Sequence, residues 1–181
     1  CTDILRSMGR AGKDDLMIRT ALLDDLLYEA AEPHMSRGID IAIAVEGQGD
    51  HVHRDAAIMH GLRNLVQNAV DFAQTRVDVR AEWTAQQLRL RISDDGPGYP
   101  PSLLPRLGQP FLTTRPRSED GRGYEGMGLG LFIAKALLER SGARIGFSNA
   151  DKGALVSVTW PRALIEADSR KPLGENPEIR G

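Results

Sequence analysis

Three clusters in this 181-residue chain have residue types and spacing suited to a metal-bound, phosphorylated ligand. The first is HGLRNLVQNAVDFA, residues 60–73. At 100° per residue, Leu62, Leu65, Val66, Ala69, Val70 and Ala73 form an apolar stripe. Asn64, Asn68 and Asp71 share the opposite side at i, i+4 and i+7. A solvated helix face explains such a pattern without a ligand. Asparagine, however, is a mediocre helix former, and two on one face give up propensity that Glu or Lys would keep. Carboxamide and carboxylate oxygens are also the hard donors that Mg²⁺ takes in small number.

The second cluster is Asp94-Asp95-Gly96-Pro97-Gly98, directly after an apolar strand pattern. These are turn residues, so a plain turn is the bland reading. The chemical reading is a carboxylate fixed at a strand end and accepting from a base amino group, with Gly96 and Gly98 letting a planar ring approach the backbone. The third cluster is Gly126-Met127-Gly128-Leu129-Gly130-Leu131, which opens a strongly apolar helix. Alternating glycines at a helix start place free N–H groups and the positive dipole end where a phosphate can sit. They also lower helix propensity, so a purely structural role is costly.

Between the last two clusters runs Tyr99 to Glu125, rich in Pro, Gly, Arg and Ser and without periodicity. Loops this long inside a compact domain are commonly lids or disordered segments. Arg115, Arg117 and Arg122 would let such a flap pair phosphate oxygens. Gly121 to Gly126 matches the dinucleotide fingerprint G-x-G-x-x-G, but it follows Arg-Pro-Arg-Ser-Glu-Asp rather than a strand, so that reading is rejected.

The elements that must position these clusters read as follows. Residues 1–10 resemble the last turns of a helix, Leu16 to Arg19 a short strand, and Ala21 to Ala31 an amphipathic helix closed before Pro33. Ile39 to Val45 alternates as a half-buried strand, and a long helix spans about Asp55 to Ala73. Val77 to Trp83 and Leu88 to Ile92 form a hairpin candidate around Thr84 to Gln87. A helix runs from about Gly128 to Arg140 and stops at Ser141-Gly142; strands follow around Ile145 and Phe147 and over Ala154 to Trp160. The mixture predicts an α/β (α+β) sandwich, a mixed and mostly antiparallel sheet covered by helices on one face. Beyond Arg162 the composition predicts a disordered tail, residues 163–181.

The bulk numbers exclude several alternatives. Hydrophobic residues at 41% and charged residues at 27% are ordinary globular values. A net charge of -2 gives no basic footprint for nucleic acid. No apolar run approaches the ~20 residues of a membrane span, and no leader pattern is present, so a cytoplasmic domain is expected. The one cysteine, Cys1, rules out an internal disulfide framework.

In this order the clusters resemble the ATP-binding domain of sensor histidine kinases, a branch of the GHKL superfamily that also holds DNA gyrase B, Hsp90 and MutL. NLVQNAVDFA resembles its N box, DDGPG its G1 box, QPFLTTR its F box and GMGLGLFIAK its G2 box. The resemblance implies the GHKL (Bergerat) fold over residues 13–162, with a lid at about 99–125, and ATP and Mg²⁺ as ligands. It implies that Asn68, with Asn64 beside it, coordinates Mg²⁺, and that Asp94 recognises the adenine amino group above Gly96 and Gly98. Gly126, Gly128 and Gly130, with Leu129 among them, would form the lid hinge and the phosphate-facing helix start. Arg115 stands where some relatives carry a phosphate-contacting lysine. Asp71 occupies a nucleotide-side position that is basic in many histidine kinases, which shifts phosphate neutralisation toward the lid arginines. The ATP-hydrolysing branches carry glutamate where this chain has Asn64, which counts against an efficient ATPase. A GHKL ATPase and a non-catalytic nucleotide-sensing module are the rival readings.

ILRSMGRAGKDD and the tail PLGEN add a narrower resemblance to the redox-responsive RegB/PrrB group of sensor kinases. It implies that residues 1–12 end a dimerisation helix, that a response regulator is the downstream partner, and that the parent protein is anchored in the inner membrane. Cys1 lies where that group carries a redox cysteine; by local chemistry alone, at a helix C-terminus with Arg6 as nearest cation, the thiol would be inert. His34, His51, His53 and His60 all lack the context of a phosphoacceptor histidine, so that group is expected on the dimerisation domain.

Overall fold

The computed structural model describes residues 20–49, 51–110 and 129–167. Its centre is a five-stranded sheet built from β2 (Asp40–Glu46), β4 (Arg76–Trp83), β5 (Gln87–Asp94), β6 (Arg144–Asn149) and β7 (Ala154–Pro161). The spatial order is β2-β4-β5-β7-β6, with β2 parallel to β4 and every other pair antiparallel. Alternation along the strands makes the sheet one-sided. Val77, Val79, Ala81 and Trp83 on β4, Leu88, Leu90 and Ile92 on β5, and Val156, Val158 and Trp160 on β7 all point into the core. Arg80, Glu82, Arg89 and Arg91 occupy the opposite, exposed face. The expected one-sided sandwich is the observed architecture.

The helical layer consists of α1 (Leu23–Ala31), α2 (Ala56–Phe72) and α3 (Gly130–Arg140). The Asp55 carboxylate caps α2 by accepting from the Ala57 N–H at 2.6 Å. The helix then buries Ile58, Leu62, Leu65, Val66, Ala69 and Val70. At Gly61 the helix surface is bare, and Leu138 of α3 fills it; an added Cβ would lie 2.7 Å from the Leu138 Cγ. Ser141 closes α3 by donating to the Leu138 carbonyl at 2.6 Å while accepting from the Trp160 indole at 2.8 Å. The two helices that carry the N-box and G2-box resemblances therefore pack on each other.

Two expectations need correction. The helix expected from Ala21 begins at Leu23, because Thr20–Leu22 forms a strand, β1, that pairs antiparallel with β3 (His51–His53), which the sequence reading missed. Leu16 to Arg19, read as a strand, lies outside the described residues. The expected tail begins too early: Arg162–Ile165 is a short helix, α4, and Ile165 and Ala167 are each 2% exposed. Arg162 anchors this segment, donating to Glu166 at 2.6 Å and to the Thr84 and Gln48 carbonyls at 2.9 Å, with its guanidinium over the Trp83 ring. Residues 168–181 and 1–12 are outside the described residues. Among those described, no helix is long and apolar enough to cross a membrane.

Candidate functional site

Asp94, the last residue of β5, is 7% exposed, the one charged residue buried to this degree among those described. Its Oδ1 accepts from the Gly96 N–H at 2.8 Å and the Ala154 N–H at 3.3 Å. Both bonds end on one oxygen; among the described residues no donor serves Oδ2. Burial pushes the carboxyl above the usual carboxylate range, the two N–H donors oppose that, and the neighbouring Asp95 charge adds to the rise. A small cavity next to it is lined by Asn68, Phe72, Asp94, Gly98, Tyr99 and Ala154. A half-exposed carboxamide on α2 thus shares a cavity with a buried carboxylate at the end of β5.

Asp95 has the opposite task. Its oxygens accept from the Gln74, Thr75 and Arg76 N–H groups at 2.8 to 3.1 Å and from the Thr75 hydroxyl. These bonds, the hydroxyl foremost, hold its carboxyl far below the usual range. They tie the turn after β5 to the chain leaving α2, fixing the separation of Asp94 and Asn68. Close approach explains the glycines. A Cβ on Gly96 would lie 2.1 Å from the Phe72 carbonyl oxygen, and one on Gly153 would lie 1.9 Å from the Asp94 carbonyl oxygen. Asn149 braces the far wall, accepting from the Tyr99 N–H at 2.7 Å and donating to the Tyr99 carbonyl at 2.8 Å. Tyr99 is buried edge-on against Phe147, and burial holds its hydroxyl protonated far above neutrality.

Of the residues expected from sequence, Asn68, Asp94 and Gly98 line the cavity and Gly96 sits directly behind it. Asn64 lies one turn earlier on α2, half-exposed and outside the lining. Neither asparagine carboxamide has a hydrogen-bond partner among the described residues. Asp71 is not in the lining either; it forms an ion pair with Arg37 at 2.7 Å. Leu129 and Gly130 start α3, and a Cβ on Gly130 would meet nothing within 4 Å, so packing does not demand glycine there. Cys1, Arg115, Gly126 and Gly128 lie outside the described residues. The expected lid is anchored at its beginning: Tyr99 and Leu107 are buried, and Gly108 turns at φ +81 against Lys135. Sequence reasoning missed Phe72, Asp95, Tyr99, Asn149, Gly153 and Ala154. Only Gly153 had a local signal, as the glycine of a hairpin turn.

Residues 53–164 match the family described as histidine kinase-, DNA gyrase B-, and HSP90-like ATPase. The chain is 49% identical to the sensor histidine kinase RegB of Cereibacter sphaeroides over 97% of its own length and 43% of RegB, so it spans less than half of that relative. The catalytic domain of histidine kinase ThkA has a similar structure, with 25% identity and a TM-score of 0.65 over 78% of this chain and 95% of the ThkA domain. Full-length ShkA in complex with AMPPNP is similar at 26% identity and a TM-score of 0.65, over 81% of this chain and 30% of ShkA. The matched segment runs from β3 into α4 and encloses the cavity between Asn68 and Asp94, and the chain belongs to the histidine kinase-, DNA gyrase B- and HSP90-like ATPase family.

Proposed function

We propose that this chain binds Mg-ATP between α2 and the turn after β5 and transfers the γ-phosphoryl group to a histidine on a dimerisation domain. The observation that carries the reading is the shared cavity: an uncommitted Asn68 carboxamide faces the same space as Asp94, whose Oδ2 has no protein donor among the described residues. An acceptor-only oxygen on a buried carboxylate suits the adenine amino group. Asn68, with Asn64 one turn away, fits Mg²⁺, which takes one or two protein oxygens and completes its shell with phosphate and water. When bound, the cation would neutralise phosphate charge. The lid arginines, Arg115 first, and the glycines at 126, 128 and 130 would complete the phosphate side. No residue of the domain needs to act as nucleophile, because phosphoryl transfer rests on positioning and charge neutralisation. The unprotonated ring nitrogen of the acceptor histidine forms the new P–N bond as the bond from the γ-phosphorus to the bridging oxygen breaks; ADP leaves with that oxygen, and the other ring nitrogen releases its proton to solvent.

Asn64 stands where the water-activating residue of an ATPase would be, which favours transfer to a partner over hydrolysis. Asn68→Ala should abolish the Mg²⁺ dependence of nucleotide binding and, with a separately supplied histidine-bearing hairpin and labelled ATP, reduce labelling at least a hundredfold. A wild-type domain that binds ATP but never labels the hairpin would make it a sensing module instead. The raised pKa of Asp94 sets a pH dependence. On acidification Oδ2 protonates earlier than in an ordinary aspartate and ceases to be an acceptor, so ATP affinity should begin to fall at a higher pH than the usual carboxylate range. Mg-ATP titrations of the wild-type chain across the acid range check the sign, and an affinity that holds steady until the usual carboxylate range is reached would contradict it.

The likeness to RegB supports a redox-responsive parent protein signalling through a response regulator, with residues 1–12 ending its dimerisation helices, residues 13–162 as the catalytic domain and a membrane anchor elsewhere. Cys1 would then form a disulfide between two copies under oxidant, and the reduced fragment would be a monomer. Non-reducing gels showing only monomer after oxidation would remove this part of the reading.

A further inference from the structure

On the polar side of α2, Asp71 and Phe72 flank Asn68 one turn further along the helix. Phe72 and Asn68 wall the cavity, and on the nucleotide reading above the phosphates would lie along the polar face that carries Asn68 and Asn64. An anion at position 71 beside that face would repel a polyphosphate. The structure answers this from another part of the chain. After the turn Glu32–His34, the Arg37 N–H donates to the His34 carbonyl at 3.1 Å, and Gly38, at φ +81, swings the chain into β2. Arg37 is thereby set against α2, its Nη1 2.7 Å from Asp71. The Asp71 side chain is only 12% exposed, whereas Arg37 stays 43% exposed. A guanidinium has five N–H donors, so one carboxylate contact leaves others to face solvent or a ligand.

We propose that Arg37 is a phosphate-side cation of the nucleotide site, beside the lid arginines, held in place by Asp71, which serves as its positioning residue. The proposal rests on the nucleotide reading above. It divides between two segments, α2 and the turn before β2, a charge that one basic residue on α2 could otherwise provide. His34, next to the pair, is pushed below its usual pKa by burial first and by Arg37 second, so it adds no charge at neutral pH. Arg37→Ala removes the guanidinium 2.7 Å from the largely buried Asp71 carboxylate, so its effect combines loss of a cation with weaker shielding of an anion.

The test is titration of Mg-ATP and of adenosine into wild type, Arg37→Ala, Asp71→Ala, the double variant and Arg37→Lys, each with its melting temperature. Arg37→Ala is expected to weaken Mg-ATP about tenfold or more and leave adenosine within about twofold. The double variant should recover to within about threefold of wild type, because the repulsive carboxylate is gone. Arg37→Lys should fall between wild type and alanine. The Arg37→Ala deficit should shrink as salt rises. Unchanged Mg-ATP affinity in Arg37→Ala would overturn the proposal. So would equal losses for adenosine and Mg-ATP, which would mark a structural role, or a double variant no better than Arg37→Ala. A wild-type chain that binds neither ligand would remove the nucleotide site itself, a failure distinct from all of these.

Discussion

Asp94→Ala lowers Mg-ATP affinity about a hundredfold, the loss expected when a buried base donor faces no charged acceptor. Asp94→Asn has a more informative outcome. Oδ1 accepts from the Gly96 and Ala154 N–H groups, so the asparagine carbonyl must take that position and its amide must take the place of Oδ2. The pocket then presents a donor where it had an acceptor. Adenine offers a donor there and guanine a carbonyl oxygen, so the variant should lose ATP and gain GTP, narrowing or inverting the preference of the wild type. Competition calorimetry with the two nucleotides measures this. An Asp94→Asn variant that keeps the ATP preference would mean that Oδ2 does not contact the base.

Gly153→Ala should damage both fold and site. The glycine has φ +74, and a Cβ would lie 1.9 Å from the Asp94 carbonyl oxygen and 2.7 Å from Oδ1. A left-handed conformation costs an L-residue about 1–2 kcal/mol. Backbone cannot move aside like a side-chain tip, so β5 and β7 must separate at Asp94. A destabilisation of about 3 kcal/mol, a melting temperature lower by about 10 °C, and loss of nucleotide binding are expected. Gly146→Ala on β6 is the control: its Cβ would meet the Ser157 Oγ at 3.1 Å with no positive φ. Thermal melts in which the two variants behave alike would contradict this account of the β5–β7 contact.

The strands and helices that carry the site were legible because their periodicities are strong. The alternation of Val77, Val79 and Ala81, the stripe on α2 and the turn residues 94–98 each announce themselves within a few neighbours. What stayed hidden depends on contacts between distant positions. Asp95 reads as a second turn aspartate until its partners at Gln74, Thr75 and Arg76 are known. Asn149 bracing Tyr99 and Gly153 under Asp94 link residues about fifty or more positions apart, and no local pattern encodes them. Likewise β1 and β3 are too short to show a period, and only their mutual pairing makes them strands. Asp71 was read as a departure from a basic position; its compensation by Arg37 lies across the helical layer and appears only in three dimensions.

Amide resonances of the ¹⁵N-labelled chain followed during a Mg-ATP titration locate the ligand most directly. Saturable shifts are expected at the Gly96, Gly98 and Ala154 backbone amides and at the Asn68 side-chain amide, all with one apparent affinity. Shifts gathering on the open sheet face around Arg80 and Arg91, with those four signals unmoved, would contradict this expectation.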